Sequence, residues 1–259
     1  MLLEVKDLNI SLASGKCVAE HISFRLGQGE MLSIVGSSGA GKTTICKAIM
    51  GLLGNTYRAD GEILFQGEDL LDLPERERQI IYGKEICMIM QNPMTAFNPS
   101  IRVGRQMEKT YLLHHGKTPR QEMQRLFAAI LQKLGLEDTQ RILNSYPFTL
   151  SGGMLQRLMI AAALMCQPSL LVADEATTAI DACNRIGLMR ELKSFCKEGM
   201  SVLFVTHDLR SASVSDRILV MDRGQIVEQG KTEQILNTPK EDYTKYLLNA
   251  CRLERREMS

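Results

Sequence analysis

A chain of 259 residues, 44% hydrophobic and 24% charged, has enough apolar material for one large domain or for a domain with an inserted lobe. The formal net charge of +1 gives no sign of nucleic-acid binding, and no apolar run reaches the ~18–20 residues of a membrane span. The seven cysteines are odd in number and form no C-x-x-C pair, which favours reduced thiols over disulfides or metal ligands.

The first predicted elements are two strands at residues 3–10 and 17–26. An apolar strand at 31–35 and a helix that begins at Thr44 then flank one stretch. That stretch is Gly36-Ser37-Ser38-Gly39-Ala40-Gly41-Lys42-Thr43. It reads G-x-x-x-x-G-K-[ST], the phosphate-binding loop, and its flanking strand and helix are the context that this motif requires.

The loop predicts nucleotide binding from its backbone geometry. Glycine has no Cβ, so the loop can turn its N–H groups toward a polyphosphate, and the following helix adds its positive dipole end. Lys42 is expected to reach the β- and γ-phosphates, and the Thr43 hydroxyl to ligate Mg²⁺. Nucleotide contacts are predicted for Gly36, Ser37, Ser38, Gly39, Ala40, Gly41, Lys42, Thr43 and Thr44.

After the loop helix the sequence predicts a polar connector at 51–61, a short strand at 62–65 and a solvent-facing helix at 73–82. The next buried strand, at 86–90, is followed directly by Gln91 in a proline-bounded loop. A glutamine there can reach a metal or a water beside the phosphates. The alternative is a turn glutamine that bonds to local backbone, and position alone favours it.

Helical periodicity dominates residues 101–143, which we interpret as a helical lobe inserted between strands of a sheet. Ser151, Gly152 and Gly153 then open a further helix. A hydroxyl, exposed N–H groups and a helix dipole together make a second anion site, although a simple serine N-cap is the alternative. Two such sites suit two chains that meet head to tail, each supplying half of each nucleotide site.

Two carboxylates, Asp174 and Glu175, end an apolar strand. Asp174 is placed to hold Mg²⁺ through water, and Glu175 to polarise an attacking water as general base. The alternative, an acidic turn at a strand end, is disfavoured in a chain that carries a phosphate loop.

Asp181 precedes a predicted helix at 182–197 and also suits its N-cap. The next core strand ends in His207, which either caps a turn or contacts the γ-phosphate. A hairpin over 217–228 and a helical tail over 241–255 complete the prediction.

Together these stretches resemble the ATP-binding cassette (ABC) ATPase family over nearly the whole chain. By matching position, the phosphate loop is Walker A, Ser151 to Gly153 fall in the L-S-G-G-Q signature, Asp174 ends Walker B, and Asp181 belongs to the D-loop. The resemblance implies ATP and Mg²⁺ as cofactors. It also implies catalytic roles for Lys42, Gln91, Glu175 and His207, Mg²⁺ contacts from Thr43, Gln91 and Asp174, and nucleotide contacts from Ser151, Gly152, Gly153 and Asp181.

The family further implies an α/β fold: a P-loop NTPase nucleotide-binding domain with a RecA-like core sheet, an N-terminal antiparallel β-subdomain and an inserted α-helical subdomain. We expect residues 1–259 to form one such domain. Residues 1–93 and 160–240 are assigned to the core with its β-subdomain, 94–159 to the helical subdomain and 241–259 to a short C-terminal helical tail.

More narrowly, the chain resembles the ATPase subunits of peptide and nickel importers. Four stretches carry this resemblance: Met90-Gln91-Asn92-Pro93, Ala96-Phe97-Asn98-Pro99, Tyr146-Pro147-Phe148 and Ser151-Gly152-Gly153-Met154-Leu155-Gln156-Arg157. Met154, where the family pattern has glutamine, resembles the nickel-import ATP-binding proteins and related metallophore importers. This implies an energy-coupling ATPase for nickel or a metal–metallophore complex, with dipeptide or oligopeptide import as the alternative.

The implied partners are a second, paralogous ATPase subunit, two transmembrane permease subunits and an external solute-binding protein, with no nucleic acid. The implied location is the cytoplasmic face of the bacterial inner membrane. Non-transport ABC ATPases are disfavoured, because DNA-repair members carry long coiled-coil insertions and translation factors carry two cassettes.

Two further features, besides Met154, depart from the pattern of related proteins. Residues 11–16, where the family often stacks adenine on an aromatic ring, contain none, so Leu12 or Val18 is expected to pack the base less tightly. Peptide importers often carry several tail cysteines for an iron–sulfur cluster, whereas the tail here has only Cys251, so no cluster is expected.

Overall fold

A four-stranded antiparallel sheet and a six-stranded sheet form the body of the chain, of which our computed structural model describes residues 1–175 and 182–257. The antiparallel sheet has the order β2-β1-β4-β5. Its strands are Leu3–Leu12 (β1), Cys17–Leu26 (β2), Tyr57–Phe65 (β4) and Glu68–Asp69 (β5).

The six-stranded sheet has the order β10-β9-β3-β8-β7-β6. Its strands are Met31–Gly36 (β3), Ile86–Ile89 (β6), Leu170–Asp174 (β7), Ser201–Thr206 (β8), Arg217–Asp222 (β9) and Gln225–Lys231 (β10). All pairs are parallel except the edge pair of β9 and β10. Every residue of β3, β7 and β8 is buried, as expected for parallel strands covered on both faces.

Helix α1 (Lys42–Ile49) follows β3 and lies between the two sheets. Its buried residues Ile45 and Ile49 share one hydrophobic cluster with Leu8 and Ile22 of the antiparallel sheet and with Val172 of the parallel sheet. This cluster joins the two sheets into one core.

A group of four helices is inserted between β6 and β7. They are Val103–His115 (α3), Arg120–Lys133 (α4), Thr139–Asn144 (α5) and Gly152–Met165 (α6), whereas α2 (Glu75–Ile81) lies before β6. Phe127 and Leu155 of this group belong to a second cluster that continues to Phe204 of β8. The predicted α/β fold with an antiparallel subdomain, a parallel core sheet and an inserted helical lobe is confirmed.

The C-terminal third adds four more helices to the described elements: Ala182–Lys197 (α7), Leu209–Ala212 (α8), Thr232–Asn237 (α9) and Asp242–Glu257 (α10). Helix α9 has no counterpart among the elements predicted from the sequence. The predicted polar connector at 51–61 is wrong over its second half, because β4 begins at Tyr57 and pairs with Leu12 of β1. Most of the first half of β4 is exposed, so its strand conformation comes from pairing with β1 rather than from an apolar pattern.

Candidate active site

The phosphate-binding loop connects the carboxyl end of β3 to α1, at the edge of the sheet where parallel α/β proteins bind ligands. Gly39 and Gly41 have φ of +84° and +94°, which is a left-handed conformation that favours glycine. At Gly36, a Cβ would lie 2.2 Å from the carbonyl oxygen of Met221 on β9. The glycines of the motif are therefore required by the backbone of this loop.

Lys42 is buried, with 4% of its surface exposed, and its Nζ donates to the carbonyl oxygens of Gly36 at 2.9 Å and Ser37 at 2.7 Å. Burial lowers the pKa of Lys42, while the carboxylates of Glu175 and Asp174 oppose that shift. The amine is thus held inside the loop beside two acidic residues. A polyphosphate in the loop would add negative charge and favour its charged form.

Thr43 and Asp174 lie side by side, and the Thr43 hydroxyl donates to Asp174 Oδ1 across 3.0 Å. Burial raises the pKa of the Asp174 carboxyl, while the hydrogen bond from Thr43 opposes that shift. A hydroxyl and a carboxylate at this spacing offer the oxygen ligands that Mg²⁺ prefers. The residues fit a Mg²⁺ ion that accompanies a nucleotide.

Glu175 lies at the centre of a three-residue contact. Gln91 Nε2 donates to Glu175 Oε2 at 2.7 Å, and His207 Nδ1 lies 3.3 Å from Oε1. The residue has φ of +48°, an uncommon value for a non-glycine residue, and its N–H donates to the Val205 carbonyl. Because β6, β7 and β8 are neighbours in the sheet, the residues that follow them converge here.

The serine and glycines that open α6 form a separate group. Ser151 Oγ accepts from the Met154 N–H at 3.3 Å, so the serine caps α6, while the anion site at this position stays a prediction. Ser151 and Gly152 are exposed, and within the described ranges no hydrogen bond joins Ser151, Gly152 or Gly153 to the phosphate loop. Asp181 lies outside the described residues.

The remaining loop positions differ in exposure. Ser37, Ser38 and Gly39 are exposed, whereas Ala40 is buried and Thr44 is half-buried at the start of α1. The exposed residues form the open side of the loop, where a ligand has access to it.

Two contacts near the site were not anticipated from the sequence. The Ser37 N–H donates to the Tyr243 hydroxyl on α10 at 3.1 Å, and Asp208, next to His207, pairs with Arg185 of α7 at 3.2 Å. Burial alone would raise the pKa of Asp208, but hydrogen bonds from Ser211, the Arg210 N–H and Arg185 lower it overall. No local sequence signal indicates either contact, because each joins segments that are distant in the chain.

The ABC transporter family model matches residues 19–178. The chain belongs to this family. This ABC protein is similar to the metal-staphylopine import system ATP-binding protein CntD of Staphylococcus aureus strain Mu50. The two are 41% identical over 251 residues, which cover 96% of this chain and 92% of that protein. It is 42% identical over 254 residues to the oligopeptide transport ATP-binding protein OppD of Bacillus subtilis, covering 95% of this chain and 71% of that protein.

Solved ABC structures have the same fold. The dimeric post-hydrolysis state of the ATP-binding cassette MJ0796, bound to ADP and Pi, superposes with a TM-score of 0.79 at 26% identity, covering 89% of this chain and 99% of that chain. CbiO1 from Clostridium perfringens superposes with a TM-score of 0.79 at 23% identity, covering 99% of this chain and 96% of that chain. Among the described residues of this ABC chain, none of the helices has the length and hydrophobicity that crossing a lipid bilayer requires.

Proposed function

We propose that this chain hydrolyses ATP as the energy-coupling subunit of a bacterial ABC importer. The observation that supports it best is the contact of Glu175 with Gln91 and His207, next to a phosphate loop whose Lys42 interacts with both Glu175 and Asp174. Lys42, the Thr43–Asp174 pair and Glu175 lie at one edge of the sheet, which supports their proposed roles in phosphate binding, Mg²⁺ binding and general-base catalysis.

In the proposed mechanism the loop N–H groups and Lys42 bind the β- and γ-phosphates. Thr43 and Asp174 would hold Mg²⁺, with Gln91 as a further oxygen donor. When bound, this ion neutralises negative charge on the phosphates. Together these groups stabilise charge on the transferring phosphoryl group.

Glu175 is proposed to act as general base on the attacking water. Its carboxylate contacts Gln91 and His207 and interacts electrostatically with Lys42 of the phosphate loop, which supports this role. His207 is proposed to contact the γ-phosphate from the end of β8.

The nucleotide is proposed to lie between two ATPase subunits. Ser151, Gly152 and Gly153, at the N-terminus of α6, are proposed to contact the γ-phosphate that a second subunit holds. Asp181 is proposed to lie at the same interface. Met154 cannot hydrogen-bond as glutamine can, which favours a second subunit that is a paralogue rather than an identical copy.

The helical lobe and the loop at Gln91 are proposed to contact a short cytoplasmic helix of the permease. Large apolar side chains are exposed on these segments and on α2: Met90, Met94 and Leu113, and Ile80 of α2. The loop after α2 touches the end of α3, since a Cβ at Gly83 would lie 2.8 Å from the His114 ring. Ile80 and Leu113 are 65% and 78% exposed and precede Gly83 and His114 in the chain, so both are proposed to contribute to the permease contact.

The substrate is proposed to be nickel or a metal–metallophore complex, moved by two permease subunits and delivered by an external solute-binding protein. Support comes from the 41% identity to a metal-staphylopine import protein. Dipeptide or oligopeptide import is the second candidate, because the chain is 40% identical over 255 residues to the dipeptide transport protein DppD of Haemophilus influenzae. For either substrate, the subunit is proposed to lie on the cytoplasmic face of the inner membrane. Its proposed parts are a core with the β-subdomain (1–93 and 160–240), a helical subdomain (94–159) and a C-terminal helical tail (241–259).

The test begins with purification of the tagged chain from native membranes in detergent and identification of the chains that accompany it. Two different permease chains and a second ATPase are expected. Uptake of radioactive nickel, with and without a metallophore, and of a labelled dipeptide then separates the two substrates. Recovery of ribosomal or DNA-bound partners without any membrane protein would overturn the transport assignment.

A further inference from the structure

We infer that Tyr243, in the first turn of the C-terminal helix α10, is a positioning residue for the phosphate-binding loop. Its hydroxyl accepts a hydrogen bond of 3.1 Å from the Ser37 N–H, joining residues that are 206 positions apart in the chain. The inference rests on the proposed function, because it assigns Tyr243 to the same nucleotide site.

One peptide group transmits the effect of Tyr243 to Lys42. The peptide between Gly36 and Ser37 is planar, so its carbonyl and its N–H point in opposite directions. The carbonyl oxygen accepts from Lys42 Nζ at 2.9 Å, and the N–H donates to Tyr243. The tyrosine hydroxyl therefore fixes the orientation of a peptide group whose other end accepts from Lys42, the side chain proposed to bind the phosphates.

The C-terminal helix is itself anchored near the site. At its N-terminus, Glu228 of β10 accepts hydrogen bonds from the N–H groups of Lys240 at 2.9 Å and Glu241 at 3.2 Å. Further along, the Cys251 carbonyl accepts from Arg210 Nη2 of α8 at 2.6 Å. These contacts make α10 a fixed support for the Tyr243 hydroxyl.

Apolar packing connects α10 to the strand that leads into the loop. Tyr243 and Leu247 pack on a small cluster that includes Val35 of β3 and Leu209 of α8. Val35 directly precedes Gly36, and α8 begins two residues after His207. The helix thus touches the elements that carry both the phosphate loop and His207.

The adjacent tyrosine provides a matched control. Tyr246 lies one turn further on α10, and its ring stacks on that of Tyr243 with centroids 6.5 Å apart. It is 66% exposed, so removal of its hydroxyl alters the same ring pair without touching the phosphate loop.

The experiment compares Tyr243→Phe and Tyr246→Phe in the assembled transporter, with ATP hydrolysis measured against MgATP concentration. Tyr243→Phe keeps the packing and is expected to raise KM about two- to tenfold with kcat unchanged, the effect of one lost hydrogen bond. Tyr246→Phe is expected to match the wild type. The unfolding temperatures of both variants are measured alongside, and they should agree with that of the wild type.

Three outcomes would overturn the inference: an unchanged KM in Tyr243→Phe, an equal rise in both variants, or a lower kcat at unchanged KM. In each of these the wild type still hydrolyses ATP, so the proposed function stands. Failure of the proposed function looks different, because the wild-type transporter itself would then show no ATP hydrolysis.

Discussion

The side-chain amide of Gln91 donates a 2.7 Å hydrogen bond to Oε2 of Glu175. The two residues follow β6 and β7, which are neighbours in the sheet. Oε1 of the same carboxylate faces His207 Nδ1 at 3.3 Å. The carboxylate is therefore held from two sides. Glutamine has nearly the same shape as glutamate, so in place of Glu175 it can keep the packing, but its neutral amide cannot take a proton from water.

Replacement of Glu175 by glutamine is expected to lower the rate of ATP hydrolysis at least about 100-fold, as loss of a general base does. The affinity for MgATP is expected to stay within about threefold, because the groups proposed to bind phosphate are unchanged. Phosphate release and nucleotide titration measure the two quantities. Glu198→Gln, which removes an exposed carboxylate paired with Lys133, is the control, and wild-type turnover in Glu175→Gln would remove the proposed role.

The free energy of unfolding is expected to depend on pH through Asp174 when Mg²⁺ and nucleotide are absent. Burial raises the pKa of this carboxyl above its ordinary value of 3.8, so the folded chain binds more protons than the unfolded chain between the two values. Stability is then lost as pH rises through that window. Asp174→Asn removes the charge and keeps an acceptor for Thr43.

The gain in stability from Asp174→Asn is therefore expected to grow as pH rises above 3.8 and to level off above the raised pKa. Urea unfolding at a series of pH values measures it. A difference between variant and wild type that is constant with pH would contradict the assignment. At neutral pH, saturating MgATP should make the wild type more stable than Asp174→Asn, because only the wild type keeps the carboxylate for Mg²⁺.

Arg157 on α6 is expected to stabilise the contact between the helical lobe and the core. Its Nη1 donates to the Leu134 carbonyl between α4 and α5 and lies 3.9 Å from Glu191 Oε2 on α7. Arg157→Met is expected to lower the free energy of unfolding by about 2 kcal/mol, as loss of a hydrogen bond from a charged group does.

Arg141→Met serves as the comparison for Arg157→Met. The Arg141 side chain is 73% exposed, and its ion pair with Asp138 is long at 3.8 Å. The free energy of unfolding is therefore expected to change by about 0.5 kcal/mol or less. Urea unfolding of both variants measures the difference. Equal losses would mean that Arg157 contributes no more than a surface arginine.

Nucleotide selectivity is expected to be weak. The turn between β1 and β2 offers no aromatic ring, and Leu12 and Val18 beside it are only half-buried. Without a ring to stack on, the base contributes little to affinity, so ATP and GTP are expected to be hydrolysed at comparable rates. Leu12→Tyr is expected to lower KM for both nucleotides about fivefold, because stacking tolerates any base. A strict preference of the wild type for ATP would contradict this prediction.

Local sequence patterns were sufficient to predict the strand, loop and helix that carry the phosphate-binding part of the site. The strand at 31–35, the glycine-rich loop and the helix after it follow from hydrophobicity and backbone geometry, and β3 and α1 confirm them. The length of β4 was underestimated, because its first half is mostly exposed and forms a strand through its pairing with β1. A local pattern of hydrophobicity cannot reveal a strand that is stabilised by a partner more than 40 residues away in the chain.

The sequence by itself determined which residue types are present for nucleotide chemistry: a phosphate loop with Lys42, strand-end carboxylates at Asp174 and Glu175, and a histidine at 207. Only the tertiary structure decided that Gln91 and His207 contact the same carboxylate and that Tyr243 contacts the loop. The physical reason is that motif chemistry depends on neighbours in the chain. These contacts instead depend on strand order and on where the C-terminal helix packs, which many weak long-range interactions determine together.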